Sequence, residues 1–191
     1  MKIIAWGIIG VMATMFVFVL FPLIVANIFH QAVVVKSDFL HFLAIPIDGQ
    51  SIFRGERLFG AHKTVRGIIV VAAITSIATY LISFTYTFPF LMHPALFGLL
   101  IGGAYMLAEL PNSFLKRRLN IHEGARGKGW VGSCFAFFDH ADSVLGAAIA
   151  LFFLVHLDYA TLAAFSVFGI LLHHVIERLL HALGYRKVPA R

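Results

Sequence analysis

The chain has 191 residues, of which 60% are hydrophobic and only 13% are charged, and its formal net charge is +6. Soluble domains are about one quarter charged, so this composition excludes an ordinary soluble domain and indicates an integral membrane protein. The one cysteine, Cys134, excludes an internal disulfide framework and a metal site built from several thiolates. We expect residues 1–191 to form a single membrane domain, because the length leaves no room for a separate soluble one.

The first predicted element is a transmembrane helix over about residues 4–30. No Asp, Glu, Lys or Arg occurs between residues 3 and 35, and a span needs about 20 apolar residues. The apolar run is longer than that of a signal peptide, so we expect it to be retained.

The next charge-free block, residues 67–108, is long enough for two helices. Pro89 and Pro94 mark the turn between them, because proline lacks an N–H donor and restricts the residue before it. We predict helices over about 67–84 and 90–108. A third apolar block is interrupted at Asp158 and gives a fourth helix over about 137–156 and a fifth from 159 to about 178. Asp158 is expected to cap the fifth helix.

The lysines and arginines predict the orientation of these five helices. Fourteen of the fifteen lie in loop 31–66, in loop 110–130 or in the C-terminal segment 178–191, and the remaining one is Lys2. Five spans place those three segments on one side, and the positive-inside rule makes that side cytoplasmic. We therefore predict an all-α protein of the cell membrane with its N-terminus outside, its C-terminus cytoplasmic and two long cytoplasmic loops.

Asp139 and Asp142 lie in the apolar stretch CFAFFDHADSVLGAAIALFF, within the first turns of the predicted fourth helix. A spacing of three places both carboxylates on one helix face, where they repel each other. One interpretation is a functional site in which a divalent cation, basic side chains or water compensates the charge. The other is an N-terminal cluster that is stabilised by capping and by the helix dipole.

The two predicted cytoplasmic loops carry cations. Lys116, Arg117 and Arg118 form a compact block, which could be a positive-inside signal or a phosphate site. Loop 31–66 alternates glycines with charged residues, which suits phosphate binding, although its apolar residues also suit an amphipathic segment in the headgroup layer. Carboxylates bind Mg²⁺, and Mg²⁺ with Lys and Arg binds a nucleoside triphosphate. The combination predicts nucleotidyl or phosphoryl transfer onto a lipid.

Four motifs in order carry a family resemblance: PIDGQ at 46–50, FGAHKTVRG at 59–67, Glu109 followed by SFLKRR at 113–118, and DHAD at 139–142. With them the chain resembles the CDP-archaeol synthase family, membrane cytidylyltransferases that couple CTP to a lipid phosphate, and more distantly the CDP-diacylglycerol synthases. It differs from the typical family pattern at Glu109, where Asp is usual, at His140, where Gln is usual, and at Glu123-Gly124, where Pro-Gly is usual.

The resemblance implies the partners CTP, a lipid phosphate and the membrane, with no nucleic acid, and it leaves homo-oligomerisation open. It also implies Mg²⁺ on Asp139 and Asp142, which together with Lys116 and Arg117 are the predicted catalytic residues. The predicted substrate- and nucleotide-binding residues are Asp48, Lys63, Arg66, Glu109, Ser113 and Arg118.

The alternative to an enzyme is a small membrane transporter or a non-catalytic lipid-binding scaffold. A transporter would keep ionisable groups near the midplane, whereas these charges cluster toward one face. The signature of the CDP-alcohol phosphatidyltransferases is absent. We expect His173, His174 and His181 to lie at a solvated helix end rather than to bind a metal, and Gly98, Gly102 and Gly103 to permit close helix packing.

Overall fold

Five helices confirm the predicted all-α architecture. The computed structural model describes residues 7–123, 125 and 127–185, so Lys2, Arg126 and the basic residues after 185 lie outside it. Within those ranges, five helices are long and apolar enough to cross a membrane: Ile9–Val35, Val65–Ile82, Pro94–Arg118, Gly129–Val155 and Tyr159–Ala182.

The first span is a continuous helix that changes type along its length. It consists of α1 (Ile8–Met15), a π-helical segment (Phe16–Leu20), α2 (Phe21–Phe29) and a second π-helical segment (His30–Val35). Pro22 cannot donate to the carbonyl of Phe18 four residues earlier, and the Thr79 hydroxyl lies 3.4 Å from that oxygen and donates to it. The predicted end near His30 is wrong, because helical turns continue to Val35 and shorten the following loop.

The connection to the second span contains the described β-structure, a two-stranded antiparallel hairpin. A short 3₁₀ helix (His41–Leu43) precedes β1 (Ile52–Phe53) and β2 (Glu56–Arg57). The next helix, α3 (Val65–Ile82), begins after Thr64, whose hydroxyl accepts the Gly67 N–H. Its predicted start at residue 67 is confirmed to within two residues.

Helices α3 and α4 (Pro94–Leu107) pack closely through glycines. A Cβ added at Gly98 would lie 2.7 Å from the Thr75 carbonyl oxygen, and one at Gly102 would lie 2.8 Å from the Cα of Ala72. These two glycines therefore confirm the predicted close packing. A Cβ at Gly103 would meet nothing within 4 Å, so the prediction is wrong for that residue.

The third span does not end near Ala108 as predicted. After a break at Ala108 the chain continues as α5 (Glu109–Arg118), so the predicted loop 110–130 is largely helical and only residues 119–128 connect the third and fourth spans. The basic block 116–118 is consequently the last turn of a helix, which gives its side chains fixed directions.

The fourth span, α6 (Gly129–Val155), begins eight residues before the predicted start. Asp139 is therefore ten residues inside the helix, beyond the first turn in which capping and the helix dipole act. The interpretation of Asp139 and Asp142 as an N-terminal cap is wrong. The last helix, α7 (Tyr159–Ala182), begins where predicted, and Asp158 caps it by accepting the Thr161 N–H at 2.9 Å.

The apolar core lies between the spans, away from the basic loops. All five spans supply fully or almost fully buried side chains to it, among them Val19, Val71, Phe97, Leu151 and Phe165. Five of the buried polar residues lie on the three later spans, toward the end where α5 finishes and α6 starts: Asn112, Ser113, Arg117, His140 and Glu177. That end of the bundle carries the candidate site.

Candidate active site

A cavity of about 710 Å³ lies at this end of the bundle. It is lined by the C-terminal part of the first span, the segment around Lys63, helix α5, and parts of α6 and α7. Its volume falls in the range of small-molecule sites, which are about 300–1,000 Å³. The cavity therefore brings together residues that are more than a hundred positions apart in the sequence.

Helix α5 supplies a polar face to the cavity. Residues 109, 112, 113, 116 and 117 all line it, and their spacing of i, i+3, i+4, i+7 and i+8 is that of one helix face. The apolar Leu115 is on the other side and 52% exposed. The predicted residues Glu109, Ser113, Lys116 and Arg117 are thus positioned by a single helix.

Asp139 and Asp142 converge on one side chain of that face. The Asn112 amide nitrogen donates to Asp139 Oδ1 at 2.8 Å and to Asp142 Oδ2 at 2.9 Å. Lys116 also donates to Asp139 Oδ1. The sequence reasoning did not identify Asn112, although its position three residues after Glu109 was the signal that could have found it.

The arrangement of these oxygens suits a hard divalent cation. Two carboxylate oxygens around one centre, with a neighbouring amide oxygen, are ligands that Mg²⁺ accepts. The orientation of an Asn amide is assigned from its partners, and a rotation by 180° would direct its oxygen toward the same centre. Among the described residues, no group of three or more His, Cys, Asp or Glu could hold a metal ion. A bound Mg²⁺ would therefore be completed by water or by substrate phosphates.

Lys63 and Glu109 form a half-buried ion pair beside the aspartates. Lys63 Nζ donates to Glu109 Oε2, and the hydroxyl of Ser143 donates to Glu109 Oε1 at 2.8 Å. Burial by itself lowers the pKa of Lys63, but the charge of Glu109 and its hydrogen bond raise that pKa above its ordinary value. The charge on Lys63 in the cavity wall is therefore favoured by Glu109.

Arg66 and Arg117 also line the cavity, and both are partly engaged by the protein. Arg66 Nη1 donates to Asp38 Oδ1 at 2.8 Å and to the Phe39 carbonyl at 3.2 Å. Arg117 is 8% exposed and donates through Nη1 to the Ile121 carbonyl. These bonds fix the direction of each guanidinium and leave further N–H groups for a ligand.

Asp48 does not line the cavity, in contrast to its predicted substrate contact. Its side chain accepts from Arg57 Nη2 at 2.5 Å and from the N–H groups of Gln50, Phe59 and Gly60 at 3.0, 3.3 and 3.2 Å. Desolvation raises the pKa of this carboxyl, but these bonds outweigh it and lower the pKa to about 2. Asp48 therefore organises the loop, and its oxygens are already engaged there.

Arg118, a predicted phosphate contact, also lies outside the cavity lining. Its guanidinium donates to the carbonyls of Phe53, Glu56 and Arg57. Because all three belong to the β-hairpin, Arg118 ties that hairpin to the end of α5.

Glu123 joins the two connecting loops across the cavity mouth. Its Oε1 accepts the Ala61 N–H, and its Oε2 lies 3.2 Å from His62 Nε2. The Cβ of any residue replacing Gly60, which has φ +100°, would lie 2.4 Å from Glu123 Oε1. Glu123, which stands where the family usually has Pro, therefore links the two connecting loops.

The histidines of α7 occupy different environments. His173 lines the cavity and its side chain is 11% exposed, so the prediction of a solvated helix end is wrong for this residue. Its Nδ1 lies 2.8 Å from the Tyr105 hydroxyl, and His140 on α6 also faces α7. His181 does not line the cavity.

The cavity carries more carboxylates than cations. Four of its lining residues are Lys or Arg and six are Asp or Glu. A nucleoside triphosphate is strongly anionic, so a divalent cation bound beside these carboxylates would favour its binding.

The fold and the site define a helical membrane protein with a polar cavity of small-molecule size at one end of its bundle. The comparison with known families is specific: the family described as CarS-like, CDP-archaeol synthase, matches residues 8–190. The chain belongs to this family, as its motifs indicated. It is therefore an enzyme, a CTP-dependent cytidylyltransferase of the nucleotidyltransferase class.

Curated relatives agree with this assignment. A CDP-archaeol synthase from Halorubrum lacusprofundi is 32% identical over 161 residues, covering 75% of this chain and 83% of the relative. One from Saccharolobus islandicus is 29% identical over 146 residues, and one from Sulfurisphaera tokodaii is 28% identical over 147; both alignments cover 75% of this chain and 81% of the relative. No solved structure shows significant similarity to the chain.

Proposed function

We propose that the protein transfers CMP from CTP to a lipid phosphate, forming a CDP-lipid of the CDP-archaeol type and releasing pyrophosphate. The acceptor would be the corresponding ether-lipid phosphate, with a diacyl phosphatidate as the competing substrate in the test below. One observation carries the proposal: a single cavity at one end of the bundle holds the convergent pair Asp139 and Asp142 together with Lys63, Lys116 and Arg117.

The reaction needs positioning more than it needs a base. An oxygen of the lipid phosphate attacks the α-phosphorus of CTP, a new P–O bond forms, and the bond from the α-phosphorus to the bridging oxygen of the β-phosphate breaks. The electron pair leaves with pyrophosphate. Because a phosphate monoester is already ionised near neutral pH, its oxygen can attack without a general base. Catalysis then rests on alignment and on neutralising the developing charge.

The cavity residues would divide this work. Lys63 and Arg117, held by Glu109 and by the Ile121 carbonyl, present fixed positive charge to the phosphates. Lys116, at present bonded to Asp139, would exchange that partner for a phosphate once the aspartate binds a cation. Arg66 and Ser113 are the further candidates for phosphate contacts.

Asp139, Asp142 and the Asn112 amide oxygen would hold Mg²⁺, in keeping with the excess of carboxylates in the cavity. When bound, the cation would neutralise phosphate charge and polarise the phosphoryl oxygens. Mg²⁺ usually takes only one or two protein carboxylates and completes its shell with water and substrate phosphates, which matches this donor set.

We propose that the cavity faces the cytoplasm, since the basic segments 31–66 and 110–130 carry the positive-inside signal. CTP is then available on that side, and the lipid phosphate can remain in the same leaflet. A cysteine introduced for the exposed Asn120, in a Cys134→Ser background, should react with a membrane-impermeant maleimide only in inverted vesicles. Labelling in right-side-out cells would overturn the orientation.

The transporter and scaffold alternatives are not favoured, since the chain belongs to an enzyme family and its charges gather at one end of the bundle. The test is CDP-lipid formation by purified protein in nanodiscs with CTP and Mg²⁺. An ether-lipid phosphate, a diacyl phosphatidate and a polyprenyl phosphate are supplied in parallel, and the products are identified by mass spectrometry. We expect the ether lipid to be the best acceptor. Absence of a CDP-lipid with every acceptor would refute the proposal.

A further inference from the structure

The connection between the first and second spans has a three-residue repeat. Every third residue from 35 to 47 lines the cavity, namely Val35, Asp38, His41, Ala44 and Ile47. Within this stretch His41–Leu43 is a 3₁₀ helix, in which side chains three residues apart lie above one another. Residues 38–45, which we call the lip, therefore direct one row of side chains toward the cavity.

A second row of the lip is apolar and exposed. Its members, Phe39, Phe42 and Ile45, also follow one another at intervals of three and are 53%, 71% and 56% exposed. Apolar surface is unfavourable in water, and a grouped apolar surface marks a contact with a partner or a membrane. The lip thus has two sides, one that borders the cavity and this apolar row, which faces outward.

Both ends of the lip are close to the ends of membrane spans. Phe39 lies four residues after Val35, where the first span ends. At the other end, the Ile45 carbonyl accepts the N–H of Val65 at 2.9 Å, and Val65 is the first residue of the second span, α3. The lip is therefore held near the level at which these two spans leave the bilayer.

The residue types beside the lip agree with that level. Lys36 Nζ, between the first span and the lip, lies 4.4 Å from the centre of the Tyr185 ring, and Lys and Tyr anchor span ends in the headgroup layer. Amphipathic segments at this level insert their apolar side chains about 5–10 Å into the boundary between headgroups and acyl chains. The bilayer surface is therefore the partner that the position of the apolar row favours.

The lip is also tied to a cation of the cavity. Arg66 Nη1 donates to Asp38 Oδ1 at 2.8 Å and to the Phe39 carbonyl at 3.2 Å, and Arg66 lines the cavity. A guanidinium suits a phosphate group because it offers several donors in a fixed plane. A lipid phosphate that passed the lip from the headgroup layer would enter the cavity beside this guanidinium.

We propose that the lip is the membrane-facing entrance of the cavity: its apolar row lies in the headgroup layer, and the lipid phosphate enters past that row toward Arg66. This inference rests on the proposed function, because it assigns the route of the acceptor in that reaction. CTP arrives from water and does not depend on the apolar row. Loss of the row should therefore impair the use of an acceptor embedded in a bilayer, but not that of a short-chain acceptor dispersed in water.

The position of the apolar row is measured without turnover. Phe42→Cys, in a Cys134→Ser background, is labelled with a bimane fluorophore, and the protein is placed in nanodiscs that contain brominated phospholipid or is exposed to aqueous iodide. We expect the brominated lipid to quench the fluorophore and iodide to have little effect. Asn120→Cys, at an exposed position between the third and fourth spans, should show the reverse. Quenching at residue 42 by iodide and not by brominated lipid would overturn the inference.

The route of the lipid is measured by kinetics. Phe42→Ser should raise the KM for a bilayer-embedded ether-lipid phosphate about three- to tenfold, the effect of losing the partial burial of one apolar side chain. Its kcat, its KM for CTP and its KM for the short-chain acceptor should not change. The matched control is Phe84→Ser, because Phe84 is 72% exposed and lies just beyond the other end of α3. It should leave all these constants unchanged.

An unchanged KM for the embedded acceptor in Phe42→Ser would overturn the inference, as would an equal rise with both acceptors. If Phe42→Ser does not fold, Phe39→Ser takes its place in the same assay. If the wild type makes no CDP-lipid from any acceptor, the proposed function falls, while the quenching experiment still decides whether the apolar row lies in the bilayer surface.

Discussion

Replacing Asp142 by Asn should abolish catalysis without destabilising the metal-free protein. Asp139 Oδ1 and Asp142 Oδ2 both lie against one nitrogen of Asn112, at 2.8 and 2.9 Å. The two oxygens are therefore at most about 5.7 Å apart, the sum of these two bonds. At an effective dielectric constant of about 20, two unit charges at this separation repel by about 3 kcal/mol.

Part of that repulsion is offset in the wild type. Asn112 donates to both carboxylates, Lys116 pairs with Asp139, and Asp139 keeps 43% of its side-chain surface exposed. The Asp142→Asn variant removes one charge, so its metal-free fold should be as stable as the wild type or more stable, by up to about 3 kcal/mol. The same change removes a ligand of the proposed Mg²⁺ site and should reduce turnover by at least about 100-fold.

The assay is thermal unfolding in detergent with and without Mg²⁺. A ligand present at about 100 times its Kd stabilises the folded state by about 2.7 kcal/mol, so saturating Mg²⁺ should raise the wild-type Tm by several degrees. The Asp142→Asn variant should start at an equal or higher Tm and respond weakly to Mg²⁺.

The matched control is Asp158→Asn, the same chemical change at the cap of α7, outside the cavity lining. Because Asn caps a helix about as well as Asp, it should keep its metal-free stability, its Mg²⁺ response and its turnover. An Asp142→Asn protein with a lower metal-free Tm and a full Mg²⁺ response would refute the assignment of this carboxylate pair.

Three further predictions concern the loops. Asp48→Asn should lower the stability of the fold. Because the pKa of Asp48 is lowered to about 2, the stabilisation by its carboxylate is fully present above pH 4 and disappears as the pH falls toward 2. The Tm difference between wild type and variant should be constant above pH 5 and should narrow below pH 4. Arg118→Met should cost about 1–3 kcal/mol by releasing the hairpin, with the Mg²⁺-dependent rise in Tm retained; loss of that rise would place Arg118 in the site. Gly60→Ala should be destabilising because φ is +100° and the new Cβ would meet Glu123. Glu123→Ala should relieve that collision but not the backbone strain. In a double-mutant cycle, Gly60→Ala should therefore cost less stability in the Glu123→Ala background than in the wild type.

The number of spans was predictable because lipid imposes a simple rule on sequence. Long segments without charge must be helical to satisfy their backbone, and prolines or Asp158 mark the turns. The ends of the helices were less predictable. A helix can extend beyond the apolar segment when its polar residues share one face, and α5 does so from Glu109 to Arg118.

The chemistry of the site was predictable from residue types, whereas the pairing between helices was not. Asp139, Asp142, Lys63 and Lys116 were identified because carboxylates and cations in apolar surroundings need an explanation. Periodicity within one helix does not say which face meets which neighbour, so the contact between His140 and Glu177 was not visible in the sequence.

Loop geometry explains why Asp48 and Arg118 contact the protein itself and do not line the cavity. Asp48 follows Pro46 in a turn whose N–H groups fold back onto its carboxylate, and Arg118 meets three hairpin carbonyls. Similarity to a family motif identifies such residues, but it does not distinguish a residue that shapes the loop from one that contacts the ligand.

The most direct test of cytidylyl transfer follows the α-phosphorus of CTP. Purified protein in nanodiscs is given Mg²⁺, the ether-lipid phosphate and CTP labelled with ³²P at either the α or the γ position. We predict that α-label enters the lipid fraction in equal amount to the pyrophosphate released, and that γ-label appears only in pyrophosphate. Label entering the lipid from the γ position, or CTP consumption without labelled lipid, would contradict the account.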